Sequence, residues 1–314
     1  MLRATGRGGR AMSQGSFGQV ITAMVTPFKS DGSLDLAGAC RLAEHLVANG
    51  SDGIVLSGTT GEAPTLSRAE KLSLFSAVIE AISGRAKVIA GTGTYSTAES
   101  LDLTLEAAAL GVDACLVVTP YYSKPPQNGL VAHFGAIADA SPVPLILYDI
   151  PGRTARRIER HTLVTLARHA NIVAVKDAVG DASETARVRS DLDAAGLESF
   201  EIYCGDDVML MPHLAAGAIG VISVCSHIVG LQMKELFAAW DDGKVDEALR
   251  LYLTLTALFG TIMTVTSSPI GIKAACSMVG LEVGDPRLPL VGATRDEAAV
   301  IRSALEKAGL LGPP

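Results

Sequence analysis

The run Asn171-Ile-Val-Ala-Val-Lys-Asp177 is a short β-branched segment that ends in a lysine. Such an apolar run is typical of a strand that is buried on both faces of a parallel sheet. A similar run, Leu145-Ile-Leu-Tyr-Asp149, precedes it, and a helical pattern over residues 160–168 separates the two. This order predicts a β-α-β unit whose two strands end at the same rim.

The same alternation of short apolar runs and longer amphipathic segments extends along most of the chain. Eight candidate strands occupy residues 20–25, 53–56, 87–90, 114–118, 145–149, 172–176, 201–204 and 220–223. The helical patterns that follow them occupy residues 36–49, 67–83, 97–110, 129–140, 160–168, 183–194, 206–216 and 231–242.

Eight strand–helix units predict an α/β fold of the (β/α)8 TIM-barrel type. An open, doubly wound sheet would have fewer strands and a dinucleotide-binding loop after the first one, where this chain has Val25-Thr-Pro-Phe28. Two helix starts, Ser67-Arg-Ala-Glu70 and Ser96-Thr-Ala-Glu99, match the capping box, in which the hydroxyl and the carboxylate each accept a hydrogen bond from a backbone amide.

The barrel pattern defines a catalytic domain at residues 16–243, and the rest of the chain differs from it. Helical patterns at residues 244–265, 269–279 and 295–308 predict a C-terminal helical region, residues 244–314, that packs on the barrel. Residues 1–15 lack the apolar centre of a secretory signal, and we expect a disordered tail there, not a transit peptide. Both Met1 and Met12 remain candidates for the translation start.

The composition excludes several classes of protein. The formal charge of −7 is spread without blocks of one sign, so the sequence has no basic segment of the kind that binds nucleic acid. No apolar stretch reaches the roughly 20 uncharged residues that are needed to cross a membrane. Five cysteines without a Cys-x-x-Cys pair indicate reduced, buried thiols, and therefore a cytoplasmic protein.

The ends of the predicted strands carry mostly hydroxyl, phenol, amine and guanidinium groups. In barrels of this type, the carboxyl ends of the strands and their loops form the active site. The residues found there are Thr26, Thr59, Thr60, Thr119, Tyr121, Tyr122, Tyr148, Arg153, Lys176, Gly205 and Ser223. This set predicts a site for a small anionic substrate with a carbonyl group.

Lys176 is the candidate nucleophile. Burial at a strand end removes water from an amine and favours the neutral form, which attacks a carbonyl carbon to give a Schiff base. A lone lysine at a strand end more often extends into water. Tyr148 and Arg153 favour the catalytic interpretation, because they bring a proton-transfer group and an anion-binding group to the same rim.

Other motifs admit simpler explanations. Gly58-Thr-Thr-Gly-Glu62 is either a carboxylate-binding loop built from backbone amides or an ordinary β-α turn. Asp206 and Asp207 follow a strand and open a helix, so we expect a helix cap there and not a metal site. None of the six histidines has a histidine partner four residues away, and we expect no catalytic metal.

Six motifs together resemble those of the dihydrodipicolinate synthase family in their order and spacing along the chain. They are Gly58-Thr-Thr-Gly-Glu62, Thr119-Pro-Tyr-Tyr-Ser-Lys-Pro-Pro126, Leu147-Tyr-Asp-Ile-Pro-Gly-Arg153, Val175-Lys-Asp177, Gly205-Asp-Asp207 and Gly220-Val-Ile-Ser223. The resemblance implies condensation of pyruvate with L-aspartate 4-semialdehyde to give 4-hydroxy-tetrahydrodipicolinate, the entry step to diaminopimelate and lysine.

The resemblance also implies a role for each catalytic residue. Lys176 would form an imine with C2 of pyruvate, and this covalent link implies that no separate cofactor is used. Tyr148 would transfer protons and would be linked through Thr60 to Tyr122. One tyrosine of the pair Tyr121 and Tyr122 would cross a tight-dimer interface into the neighbouring site, and the sequence does not show which. We expect a homotetramer built as a dimer of tight dimers.

The remaining implied roles concern substrate binding. The backbone amides of Thr59 and Thr60 would hold the pyruvate carboxylate, and the carbonyls of Gly205 and Ile222 would line the pocket. Arg153 would take the carboxylate of the semialdehyde, since its planar fork binds both oxygens at once.

Two alternative functions are distinguishable from this one. The first is another pyruvate-dependent aldolase, of the sugar-acid or N-acetylneuraminate lyase type. The related N-acetylneuraminate lyases usually carry Ser-Thr in place of Thr59 and Thr60 and lack Arg153. The second is a non-catalytic barrel that senses a metabolite, which would have lost the amine or the phenols.

Regulation by lysine is expected to be weak or absent. In lysine-inhibited family members, an interface cleft has polar residues at the positions that are here Ala63, Arg68, Lys71, Tyr95 and Glu99. Two cations beside that cleft would repel a cationic effector.

Overall fold

The structure is a computed structural model that describes residues 15–312. Residues 1–14 lie outside the described residues. They include both candidate starts and all of the predicted tail except Gly15. Immediately after it, the backbone N–H and the hydroxyl of Ser16 donate hydrogen bonds to the Glu201 carboxylate, at 2.7 and 2.8 Å. The described chain is therefore joined to the barrel from its first residues.

Eight parallel strands form a closed barrel in sequence order. They are β1 (Val20–Ala23), β2 (Gly53–Leu56), β3 (Lys87–Gly91), β4 (Ala114–Val118), β5 (Leu145–Asp149), β6 (Ile172–Asp177), β7 (Glu201–Cys204) and β8 (Gly220–Ser223). Since β1 pairs with both β2 and β8, the sheet has no free edge. The predicted (β/α)8 TIM barrel is confirmed, although β1 ends two residues before its predicted end.

Helices surround the barrel and continue beyond it. Within residues 15–312 they are α1 (Leu36–Ala48), α2 (Arg68–Ile82), α3 (Thr97–Ala109), α4 (Gln127–Ala140), α5 (Pro151–Thr154), α6 (Arg160–Leu166), α7 (Ala182–Ala194), α8 (Leu210–Ala215), α9 (Ser226–Asp241), α10 (Val245–Thr264), α11 (Ile270–Met278) and α12 (Arg295–Lys307). Short 3-10 helices occupy Ala63–Thr65 and Asp207–Met209. No helix in this part of the chain is both long and apolar enough to cross a bilayer.

Some helix predictions were wrong. The helix predicted over residues 206–216 is a 3-10 turn followed by α8. The helix predicted to begin at residue 231 begins at Ser226, and Val229 inside it has a non-helical φ of −135°. Gly230 lies so close to the Asn49 carbonyl oxygen that an added Cβ would be 2.3 Å from it. This close approach explains both the glycine and the break in the helical pattern.

Alternation along the strands divides the core into two layers. Successive side chains point to opposite faces, so residues two apart share a face. Ile146 and Tyr148 therefore point into the barrel, and Ala174 points inward with Lys176. Leu145 and Leu147 pack outward beneath the helices. Tyr148 and Lys176 are register partners on adjacent strands, which places the phenol beside the amine.

The C-terminal helices lie against the barrel. Helix α10 packs on α9, and α12 packs across α10 and α11. The segment after α11 reaches the active-site end of the barrel, because the Phe28 backbone N–H donates to the Val283 carbonyl at 3.2 Å. The last third of the chain therefore contacts the loop that follows β1.

Candidate active site

A cleft of about 240 Å³ opens among the loops at the carboxyl ends of the strands. Four predicted site residues line it: Thr59, Tyr121, Tyr148 and Arg153. Its floor and walls also include Leu116, Val118 and Ile150, so the cleft is largely apolar with a few polar groups at its edge. Such a composition is common in small-molecule sites.

Tyr148 lines the cleft, and Lys176, which is not among the lining residues, is buried next to Tyr148. Both residues are 4 % exposed, and the Lys176 Nζ lies 4.4 Å from the centroid of the Tyr148 ring. Gly205 is immediately next to them, since a Cβ added there would lie 3.1 Å from Lys176 Cε. The added Cβ would also lie 2.8 Å from Ala178 Cβ and 3.0 Å from the Asp177 carbonyl oxygen, so the space at Gly205 does not admit a side chain without a shift of its neighbours.

The position of Tyr148 is fixed through its backbone. The Tyr148 carbonyl accepts hydrogen bonds from the backbone N–H and the hydroxyl of Thr119, both at 3.0 Å. Thr119 directly follows β4, so this contact joins the ends of two neighbouring strands. The sequence analysis placed Thr119 at the rim but gave it no role. In the structure, its two hydrogen bonds hold the backbone of Tyr148.

The Gly58-Thr-Thr-Gly-Glu62 loop covers the ends of β2 and β3. Thr60 is buried, Thr59 is half-buried, and the Glu62 backbone N–H donates to the Thr59 carbonyl at 3.1 Å. The Thr26 hydroxyl donates to the Gly61 carbonyl at 2.6 Å. The loop also sits tightly against β3, since a Cβ at Gly91 would lie 2.3 Å from the Ser57 carbonyl oxygen. The loop is thus a closed, braced turn.

Arg153 lies on α5, a one-turn helix that directly follows β5. Its side chain is exposed at the rim of the cleft, and Nη2 donates to the Ser268 carbonyl at 3.4 Å. This placement agrees with a group that meets a ligand at the entrance. The proline at the start of α5 restricts the backbone where the strand turns away.

The two adjacent tyrosines point to different places. Tyr121 lines the cleft, and its ring meets Tyr95 edge-on at 5.4 Å between centroids. Burial raises the pKa of Tyr121, and Tyr95 and Glu99 add to the rise. Tyr122 has a positive φ of 65° and is 92 % exposed. Within one chain, the structure therefore does not bring Tyr122 to Tyr148 and Thr60.

Ile222 lies on β8, and Asp206 and Asp207 follow β7. Ile222 is fully buried inside the barrel. The Asp206 carboxylate accepts from the Val208 N–H at 3.1 Å, as expected of a cap. Asp207 does not act as a cap, because its carboxylate is buried and accepts from the N–H groups of Val224 and Cys225, both at 2.9 Å. Across residues 15–312, no cluster of three or more potential metal ligands is found.

Sequence reasoning missed two buried carboxylates. Asp149 follows Tyr148 directly, and its Oδ2 accepts from the Ile158 N–H at 3.2 Å. Burial raises the pKa of Asp149 to about 7, against a lowering influence from Arg157. Glu62 ends the threonine loop and forms a 2.7 Å ion pair with Lys273 of α11. Asp149 lies within a motif of the sequence, so the sequence already indicated its position at the site. The pairing of Glu62 with Lys273 is visible only in the fold.

The sequence and the fold are both similar to those of known enzymes. The profile of the Dihydrodipicolinate synthetase family matches residues 16–308. A 4-hydroxy-tetrahydrodipicolinate synthase of Thermosynechococcus vestitus is 49 % identical over 296 residues, which is 94 % of this chain and 98 % of the relative.

Two solved structures are also similar. The dihydrodipicolinate synthase of Cyanidioschyzon merolae, solved with lysine bound, gives a TM-score of 0.90 at 43 % identity, over 94 % of this chain and 99 % of its own. The chloride-inhibited enzyme of Acinetobacter baumannii, complexed with pyruvate, gives 0.89 at 38 % identity, over 94 % and 100 %. The expected family is confirmed: this chain belongs to the dihydrodipicolinate synthetase family.

Proposed function

We propose that this chain is a 4-hydroxy-tetrahydrodipicolinate synthase, which condenses pyruvate with L-aspartate 4-semialdehyde in the synthesis of diaminopimelate and lysine. The observation that carries the proposal is the buried amine of Lys176, 4.4 Å from the ring of Tyr148, which itself lines the cleft. The full-length similarity to enzymes of that name supports the same reaction.

The reaction follows from the chemistry of a lysine imine. The Lys176 amine attacks C2 of pyruvate, and water leaves as the imine forms. The protonated imine draws electrons from the methyl group, which loses a proton and becomes an enamine. The enamine carbon attacks the aldehyde carbon, and the aldehyde oxygen becomes the hydroxyl of the product. The amino group of the semialdehyde then attacks the imine carbon, closes the ring and releases Lys176. The imine is the electron sink, so we propose no separate cofactor.

Each of these steps moves a proton, and we assign the transfer to Tyr148, whose ring lies 4.4 Å from the Lys176 amine. A phenol with an ordinary pKa near 10 needs help from neighbours to act at neutral pH. We assign that help to Thr60 and to a second phenol, Tyr122. Since Tyr122 is 92 % exposed and turned outward, we assign it to the site of a neighbouring copy, while Tyr121 stays in its own cleft.

This assignment makes the active unit a tight dimer, and we propose a tetramer of two such dimers in the cytoplasm. The positive φ of Tyr122 supports the crossing, because a bulky residue adopts that conformation at a cost which must be offset elsewhere. A partner surface that buries the ring would offset it.

Substrate binding divides between two sides of the cleft. The backbone amides of Thr59 and Thr60 would hold the pyruvate carboxylate, with the carbonyls of Gly205 and Ile222 along the pocket. Arg153 at the entrance would hold the semialdehyde carboxylate. The pair Thr59 and Thr60 together with Arg153 favours the synthase over a sugar-acid or N-acetylneuraminate lyase.

Reductive trapping tests the proposal. Pyruvate with borohydride should add one reduced pyruvyl group to the protein, and the Lys176→Ala variant should add none. A coupled assay should show turnover with aspartate semialdehyde and none with sialic acid or keto-deoxy sugar acids. An unchanged mass in the parent protein would refute the imine mechanism, and turnover of a sugar acid alone would favour the lyase.

A further inference from the structure

A buried ion pair joins the threonine loop to the C-terminal region. Lys273 Nζ lies 2.7 Å from Glu62 Oε1, and the two side chains are 2 % and 0 % exposed. Glu62 is the last residue of the Gly58-Thr-Thr-Gly-Glu62 loop, and Lys273 lies on α11. The pair therefore connects two parts of the chain that are distant in sequence.

Several contacts hold each partner in place. Lys273 Nζ also donates to the Asp285 carbonyl at 3.3 Å and lies 4.4 Å from the centroid of the Phe28 ring. The second carboxylate oxygen of Glu62 accepts from the Arg287 N–H at 2.9 Å. Burial lowers the pKa of Lys273, and the nearby Glu62 carboxylate opposes that fall. The site is thus built around charged partners and is not an accidental contact.

Stability alone is a poor explanation for such a pair. Removing two charges from water is costly, and apolar side chains of similar volume often fill such a site with equal or greater stability. In some proteins, buried polar or ionic groups instead specify how two elements are placed relative to one another. A role in placing the threonine loop is therefore the alternative to a role in stability.

The backbone conformation and hydrogen bonds of Glu62 connect the ion pair to the threonine loop. Its φ of 56° is in the left-handed region, which is costly for a residue with a long side chain. The Glu62 N–H donates to the Thr59 carbonyl at 3.1 Å, and the Thr65 N–H donates to the Glu62 carbonyl at 3.0 Å. Glu62 is thus hydrogen-bonded to Thr59 across the turn that contains Thr60.

Arg287 closes the other side of the same loop. Its guanidinium donates to both carboxylate oxygens of Glu70, and also to the carbonyl of Thr65 at 2.9 Å. This contact lowers the pKa of Glu70 to about 2, so the carboxylate stays charged at neutral pH. The loop is thus held at Glu62 and at Thr65 by one C-terminal segment.

We infer that Lys273 is a positioning residue: acting through Glu62, it sets the backbone amides of Thr59 and Thr60 at the spacing that binds the pyruvate carboxylate. The inference rests on the proposed function and extends it, because it assigns the C-terminal region a part in binding the first substrate.

The test is the double variant Glu62→Gln/Lys273→Met, which removes both charges and nearly conserves volume. The pyruvate concentration that half-saturates borohydride trapping should rise by about tenfold, since displacement of aligned groups by less than 1 Å costs that much or more. The KM for the semialdehyde should not change. The matched control is Asp52→Asn/Lys234→Met, which removes a 2.8 Å ion pair at the opposite end of the barrel and should leave half-saturation unchanged.

The conservative variant Glu62→Asp separates position from charge. It keeps the negative charge but withdraws the carboxylate from Lys273 by one methylene, so a positioning role requires a rise in half-saturating pyruvate of about threefold or more. It also decides the question if the double variant does not fold. Parent-like half-saturation in a folded double variant, or in Glu62→Asp, would overturn the inference. Absence of trapping in the parent protein would instead overturn the proposed function.

Discussion

Replacing Arg153 with alanine should separate the two substrates of the proposed reaction. Arg153 lines the cleft together with Gly58 and Thr59 of the loop that we assign to pyruvate, and its side chain is exposed at the rim. Among the described residues, it donates a single hydrogen bond, to the Ser268 carbonyl at a long 3.4 Å. It is therefore available to an incoming carboxylate, and its removal leaves no buried partner unsatisfied.

The expected effect can be worked out from this exposure. A bidentate, charge-assisted contact to a carboxylate contributes about 1.5–3 kcal/mol. Since Arg153 is exposed, water screens the contact and favours the lower half of that range. The kcat/KM for the semialdehyde should then fall by about tenfold to fortyfold. Imine formation with pyruvate should be nearly unchanged.

Two measurements on the same variant check this result. Initial rates in a coupled assay give kcat/KM for the semialdehyde, and borohydride trapping followed by mass spectrometry reports imine formation. Arg160→Ala is the matched control, because Arg160 is a nearby exposed arginine whose contacts are to Glu184 and Asp191, each at 3.5 Å. If Arg153→Ala traps pyruvate normally and condenses the semialdehyde at the parent rate, Arg153 does not bind the second substrate.

Further predictions concern assembly, pH and regulation. The variants Tyr122→Ala and Lys176→Ala should each be inactive alone. Refolding the two variants together should restore part of the activity, because a mixed dimer contains one site with both Lys176 and Tyr122. If no activity is recovered, Tyr122 does not cross into the neighbouring site. Asp149→Asn should raise the melting temperature more at pH 8 than at pH 4. Burial raises the pKa of Asp149 from 3.8 to about 7, so the folded state is penalised increasingly as the pH rises between these values, and equal shifts at both pH values would refute this account. Lysine should inhibit weakly, because Arg68 and Lys71 place two cations beside the cleft and would repel a cationic effector; strong inhibition at sub-millimolar lysine in an initial-rate assay would show that the cleft accepts it.

The strands were predictable because their burial on both faces leaves a continuous apolar run. Leu145–Asp149 and Glu201–Cys204, for example, have the predicted bounds. The predictions of helix caps were less reliable, because a side chain near a helix start can bond to more than one partner. Ser67 and Glu70 form the complete capping box. At Ser96, only the hydroxyl contact forms, because the Glu99 carboxylate lies beside the Thr94 hydroxyl at 3.3 Å.

The site was predictable in its residue types but not in its geometry. The strand ends indicated Lys176 and Tyr148, and the register of β5 and β6 brings them together. The direction of Tyr122 depends on a positive φ that no residue type in that segment requires. The pairing of Glu62 with Lys273 depends on how the C-terminal helices pack, and a sequence pattern contains no information about two positions so far apart.

The link between Glu62 and Lys273 also orders events during synthesis of the chain. Every strand of the barrel precedes Lys273 in the sequence, so all eight leave the ribosome before the residue that holds the threonine loop. A chain that stops before Lys273 would contain every barrel strand and would still lack the contact that we assign to pyruvate binding. On the role proposed for Lys273, affinity for the first substrate would therefore be completed only by the last part of the chain to be synthesised.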